Sequence, residues 1–159
     1  MAEHDYFGAI DGYWDDVIEY GDQRVEVSVE CDDEPAPRAL DAAADLLRGL
    51  EWLDEELREH LVGELGRGGA VVEFVNAVLD PEHESSEEIT DAIGRDSGDR
   101  EIDLLRSLEL LRVEIRPESD GDGEHFAELE YAIAPNDTDE RLLVVVDLDR
   151  APVEVRFDG

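Results

Sequence analysis

Val25, Val27 and Val29 alternate with Glu26, Ser28 and Glu30, and a period of two returns three more times toward the other end of the chain. Leu111, Val113 and Ile115 alternate with Arg112, Glu114 and Arg116; Leu129, Tyr131 and Ile133 alternate with Glu128, Glu130 and Ala132; Val153, Val155 and Phe157 alternate with Glu154 and Arg156. Successive side chains of a strand point to opposite faces, so each segment predicts a strand with one apolar and one wet face. The densest apolar run, Leu142–Leu148, is short and β-branched and lies between charged segments, which predicts a buried central strand. Tyr13–Tyr20 predicts a first strand, joined to the Val25 strand by the short loop Gly21-Asp22-Gln23.

Between the two groups of strands the period lengthens. In Arg38–Leu53, Leu40, Ala43, Ala44, Leu47 and Leu50 recur at helical spacing. Asp54 is placed to cap a second helix with the stripe Leu57, Leu61 and Leu65, and Gly66-Arg67-Gly68-Gly69 is placed to end it. Val71, Phe74, Val75, Val78 and Leu79 mark the most regular helix, which Asp80-Pro81 stops. Ser85 and Glu88 have the spacing of a capping box before a short helix with Ile89, Ala92 and Ile93. Gly94–Gly98 predicts a loop, and Asp99 is placed to cap a last helix through Leu104, Leu105 and Leu108. The order is a β-hairpin, a helical block and a four-strand meander. It predicts a single α+β domain: an antiparallel sheet with four to five helices over its apolar face.

Charge changes the picture of the environment. The 159 residues hold 46 acidic and 13 basic side chains, a formal charge of −33, and every basic residue is arginine. Such a charge often marks disorder, but the periodic apolar positions predict a folded chain. Strong acidity without lysine in a folded chain predicts a protein of a salt-in halophile, where molar salt screens the repulsion between carboxylates. The acidity argues against direct binding to nucleic acid or to an anionic membrane. No apolar stretch reaches about 18 residues, the length a spanning helix needs, and the first residues carry no signal-peptide pattern. A cytoplasmic protein is the expectation.

Several segments together resemble a family of small bacterial and archaeal α+β proteins catalogued as a domain of unknown function. They are Tyr13-Trp14 at the first strand, Gly21 before Val25-Glu26-Val27, Leu50–Asp54, Leu108–Val113, Phe126–Tyr131 and Leu142–Val155. The resemblance spans nearly the whole chain and makes it look like a haloarchaeal member. It implies a fold and brings no catalytic residues with it.

The candidate sites are few. Asp120-Gly121-Asp122-Gly123-Glu124 has acids at alternate positions but lacks the flanking helices and closing Glu of a calcium loop, so it predicts a solvated turn. His60 and Glu64 share a helix face, yet His4, His83 and His125 have no spacing that completes a metal set with them. Lone Cys31, among Glu30, Asp32 and Asp33, has surroundings that disfavour a thiolate. Gly66–Gly69 lacks the Lys and Ser/Thr of a phosphate loop. Trp14 and Trp52 are expected in or beside the core; exposure of either would mark a partner surface. No catalytic, cofactor-binding or metal-binding residue is predicted, and no cofactor is expected. The leading expectation is a non-enzymatic interaction module with a protein partner. The alternatives are a small metal-dependent hydrolase using surface carboxylates and an acidic mimic of nucleic acid.

The charge generates a test of its own. Spread over a folded surface of about 8,000 Å², the net charges of this chain stand about 15 Å apart, and an unscreened pair at that distance repels by ~0.3 kcal/mol. The Debye length falls from about 30 Å at 0.01 M salt to about 3 Å at 1 M. Summed over neighbours, the repulsion at low salt is comparable with a total stability of about 5–15 kcal/mol. The melting temperature should therefore rise steeply between 0.01 and 1 M KCl and flatten above it, as followed by circular dichroism. No change over that range would remove the halophile reading.

Overall fold

The computed structural model describes residues 2–4, 7–10, 13–20, 23–30, 37–95, 97–116 and 126–158. Strands β1 (Ala2–His4) and β2 (Gly8–Ile10) form a small antiparallel ribbon that the sequence pattern does not foreshadow. Strands β3 (Tyr13–Tyr20) and β4 (Gln23–Glu30) form the expected hairpin. Helices α1 (Pro37–Arg48), α2 (Leu50–Glu64), α3 (Ala70–Val78), α4 (Ser86–Ala92) and α5 (Arg100–Arg106) follow. The chain then runs through β5 (Glu109–Ile115), β6 (Ala127–Ala132), β7 (Arg141–Val146) and β8 (Pro152–Asp158).

The fold is α+β, but its sheet is neither purely antiparallel nor a four-strand meander. Strands β3 to β8 form one six-stranded mixed sheet in chain order, and β4 pairs with β5 in parallel. A parallel neighbour needs a long crossover that returns the chain to the end where the first strand began, and the five helices supply it. A reading based on period identifies each strand but not the direction in which the chain re-enters the sheet. The Leu142–Val146 run lies inside the sheet beside edge strand β8, not at its centre.

One register row explains the core. Val27, Val113, Leu129, Val144 and Val155 stand opposite one another across β4 to β8. Directly opposite residues share a face, so the row places five apolar side chains on one side of the sheet. The buried residues of the helices join them in one cluster, including Leu46, Leu53, Leu61, Phe74 and Leu105. Phe74 of α3 meets Phe157 of β8 edge to face, with ring centroids 6.1 Å apart. At the other edge of the sheet Trp14 packs edge to face on Phe7 at 4.7 Å. Asp16 stands in register with Val27, so it lies on the helix-covered face, yet it is exposed on edge strand β3.

Asp99 caps α5 as expected: its carboxylate accepts from the N–H groups of Glu101 and Ile102 at 2.9 and 3.2 Å. Asp54 does not cap a helix. The break between the first two helices falls at Gly49, and Asp54 lies inside α2, buried. Ser85 makes no capping hydrogen bond to α4; its hydroxyl donates instead to the carbonyl of Asp137. Gly68 and Gly69 take φ values of 76° and 88°, which side chains rarely adopt, so glycine is required where α2 gives way to α3. Val153 was expected to face the helices. A register shift at Val145/Val146 makes it the extra residue of a bulge, and it is 45% exposed. Such bulges bend an edge strand and leave one residue unpaired.

On the wet face of the sheet Arg116 and Arg156 are ion-paired. Among the described residues the short ion pairs of this face run along a strand. Arg116 donates to Glu114 at 2.7 Å and Arg156 to Glu154 at 2.8 Å, each two residues away on the same face. The cross-strand pair Arg116–Glu30 is longer, at 3.9 Å. The hydrogen bonds that Arg116 and Arg156 donate to Glu114 and Glu154, first among the causes, raise the pKa values of these two guanidinium groups.

Phe74→Ala empties a fully buried site in the most regular helical stripe and should cost about 3–5 kcal/mol in urea titrations at molar KCl. Its exposed neighbour Glu73, changed to Ala, should stay within about 0.5 kcal/mol. Equal costs would mean that α3 presents a different face to the sheet.

Candidate functional site

Three groups of side chains outside the apolar core are candidates for chemistry. The first is buried. Helix α2 carries Asp54 and Arg58 four residues apart, so both side chains lie on one face. The Asp54 Oδ1 accepts from the Tyr131 hydroxyl at 2.7 Å and from Arg58 Nε at 2.9 Å. Its Oδ2 accepts from Gln23 Nε2 at 3.1 Å and Arg58 Nη2 at 3.2 Å. Arg58 also donates to Gln23 Oε1 at 2.8 Å and to the Arg106 carbonyl at 2.9 Å. The Arg58 guanidinium lies over the Tyr131 ring, 5.8 Å from its centroid. Gln23 Oε1 accepts one more bond, from the Leu110 N–H at 2.8 Å. That bond sits at the β5 register shift, where the ladder to β6 is broken. Every atom of this group that faces the interior is engaged, and buried polar groups are tolerated when they are satisfied in this way. Its chemistry is that of a structural clasp.

The second group joins the loop after α3 to the loop between β6 and β7. The Ser85 N–H donates to His83 Nδ1 at 2.9 Å, so the ring proton sits on Nε2, which lies 2.8 Å from Glu140 Oε1. A histidine, a serine and a glutamate so close suggest a nucleophilic triad. The geometry excludes it: the Ser85 hydroxyl donates to a backbone carbonyl and not to the imidazole, whereas an activated serine must give its proton to the base. Burial pushes the Glu140 carboxyl up, but bonds from its own backbone N–H and from His83 outweigh this, and its pKa is lowered overall. Thr138 and Arg141 bind four carbonyls of the same loop, at Ile133, Ala134, Pro135 and Glu140, and Arg141 also reaches the carbonyl of Thr138. This group fixes a loop in which Ala134 has a φ of 47°.

The third group is open. Leu50, Leu53, Leu57 and Leu61 face the core from α2, so Trp52, Glu55, Glu56 and Glu59 line its outer side. Trp52 is 60% exposed. It stands in a shallow cleft of about 520 Å³ between α2 and the β7–β8 turn, whose contribution is Arg150 and Pro152. Two clefts on the wet face of the sheet are smaller, about 210 and 290 Å³. Within the Trp52 cleft Glu59 is held by Arg106 through two bonds of 2.9 and 3.0 Å, and the hydrogen bond from Arg106 is the first cause of its lowered pKa. Glu55 and Glu56 are exposed, and among the described residues no ion pair engages either of them.

The residues singled out from sequence are scattered. His60 Nε2 lies 3.4 Å from Glu64 Oε1, and Arg67 reaches the same oxygen at 3.4 Å, so His60 and Glu64 form a surface cluster with a third partner. Among the described residues no group of three His, Cys, Asp or Glu side chains is arranged to hold a metal ion. Cys31 and the Asp120–Glu124 segment lie outside the described residues. Trp14 is partly buried against the core. Sequence reading missed the Asp54 group because its members are up to 108 positions apart, between Gln23 and Tyr131. The one local signal was an aspartate and an arginine at helical spacing.

Among the described residues no helix is long and apolar enough to cross a membrane. No protein-family model, no curated protein and no solved structure matches the chain.

The clasp generates a stability test. Tyr131→Phe removes one hydrogen bond to a buried carboxylate and should cost about 1.5–3 kcal/mol. Asp54→Ala leaves Arg58 without its counter-ion and should cost about 3–5 kcal/mol. The double variant should cost clearly less than the sum, since both changes remove the same contact. Additive costs in urea titrations would show that the two side chains act independently.

Proposed function

We propose that the protein is a non-enzymatic interaction module that docks a protein partner on the outer face of α2, in the cleft around Trp52. The observation that carries this reading is the exposure of Trp52 in a chain that otherwise buries its large apolar side chains. Only Tyr13, Val17 and Val153 share that exposure among the described residues. Tyr13 and Val17 lie along edge strand β3 and Val153 in a bulge, whereas Trp52 occupies a regular helical position in a concave site. Aromatic residues in such positions dominate binding at protein interfaces, because they bury a large area at little entropic cost. The satisfied hydrogen bonding of the Asp54 group supports a structural role for it, and the Ser85 hydroxyl, bonded to the Asp137 carbonyl, leaves the His83–Glu140 pair without a nucleophile, so the Trp52 cleft is the place for recognition.

The environment belongs to the same proposal. Acidity without lysine supports a halophile's cytoplasm, and with it membership of the uncharacterised family that the chain resembles. It also supports the absence of direct nucleic-acid binding, since a polyanion repels this surface.

Capture experiments in a high-salt lysate test the docking reading. The wild-type chain and Val17→Ser should retain one stoichiometric protein. Trp52→Ala should lose it by about 30-fold or more, the effect of deleting an interface anchor, while melting within error of the wild type. An identical set of captured proteins for Trp52→Ala would overturn the proposal.

A further inference from the structure

We infer that the Trp52 cleft recognises an arginine side chain of the partner, carried on a segment that also offers a carboxylate to Arg150. The inference rests on the docking reading and adds the chemistry of the ligand.

The chain already contains the arrangement. Inside the protein Arg58, besides its bonds to Gln23 and the Arg106 carbonyl, meets the Asp54 carboxylate at 2.9 Å and the face of Tyr131 at 5.8 Å from its centroid. The outer face of the same helix repeats both elements, with Arg150 across the cleft and no ion pair to Glu55 or Glu56 among the described residues. Trp52 supplies the aromatic ring, and Glu55 and Glu56 stand three and four residues on, on the same side. The third carboxylate of the cleft, Glu59, is occupied by Arg106, so the charge on offer is concentrated beside Trp52. Indole is the strongest of the aromatic platforms for a cation. Arg150 forms the opposite wall, at the β7–β8 turn, with a φ of 68°. Among the described residues no ion pair joins it to a carboxylate, which leaves its guanidinium available to the partner's acid.

Salt decides between guanidinium and ammonium. At 1 M salt the Debye length is about 3 Å, so diffuse attraction to an acidic surface vanishes and recognition depends on contact. A guanidinium is planar and weakly hydrated, stacks on a ring, and gives parallel bonds to a carboxylate; an ammonium does none of these well. All 13 cations of this chain are arginines, and each one with a carboxylate partner shows the use to which this surface chemistry puts them.

A defined probe tests the inference: the acetylated, amidated nonapeptide Ala-Glu-Ala-Arg-Ala-Glu-Arg-Ala-Ala, and its counterpart with lysine for arginine. Binding is measured in 2 M KCl by indole fluorescence in a Trp14→Phe background, where Trp52 is the sole indole, and by calorimetry for variants lacking it. The arginine peptide should bind one site, saturably, and at least about fivefold more tightly than the lysine peptide. Trp52→Ala, and Glu55→Gln with Glu56→Gln, should each weaken it by about fivefold or more. Equal affinity for the two peptides, indifference to Trp52→Ala, or binding at 0.15 M KCl that disappears at 2 M would overturn the inference, as would no binding of the arginine peptide at all. If captured partner still depends on Trp52 while the peptides show no arginine preference, the arginine inference alone falls. If capture does not depend on Trp52, the docking reading falls with it.

Discussion

The Asp54 carboxylate is the interaction on which the arrangement of helices and sheet depends. It sits in the middle of α2 and receives bonds from residues of β4, β6 and its own helix. Through Gln23 and Arg58 the same group reaches the start of β5 and the end of α5. Apolar packing alone would let α2 slide or rotate over a sheet face made of valine and leucine. A buried ion pair adds little net stability for its cost in desolvation, but it punishes any register in which its members are unpaired. Here that requirement ties down the junction at which the hairpin meets the rest of the sheet, where the β5 ladder is irregular.

Much of this was legible in the chain, and the part that was not has a physical cause. The strands were visible because the wet face demands charge at every second position, as in Leu111–Arg116. The helices were visible because leucine and valine recur with the helical period. Strand direction was not, since alternation in β4 and β5 reads the same for parallel and antiparallel neighbours. Capping signals were ambiguous for a related reason. Asp54, Ser85 and Asp99 all precede helical stripes, and only Asp99 has no better partner than the helix end. The other two are drawn away by Tyr131, Gln23 and Arg58 or by the carbonyl of Asp137, groups distant in sequence. The exposure of Trp52 was likewise undecidable, because the helix break at Gly49 shifts the phase of α2 relative to α1.

The surface separates two uses of acidic residues. Along the wet face of the sheet, Glu114 and Glu154 are neutralised by arginines on their own strands, which limits the repulsion from Glu128, in register with Glu114. On edge strand β3 the acids have another effect. Asp16 points to the covered side of the sheet, where a further strand would have to bury it, and inward charges of this kind discourage edge-to-edge association. In molar salt, where net charge no longer keeps molecules apart, such local devices carry more of the burden of solubility.

The parallel seam between β4 and β5 also sets an order of events during synthesis. Val27 and Val113 pair across a separation of 86 positions, and contacts so distant in sequence form slowly. Until this contact forms, the hairpin exists as two strands whose apolar face, Val25, Val27 and Val29, lacks its neighbour β5. A two-stranded ribbon is marginal in water by itself. The nascent hairpin therefore emerges well before the strand it pairs with, and its apolar face is exposed to misassociation until β5 has been made.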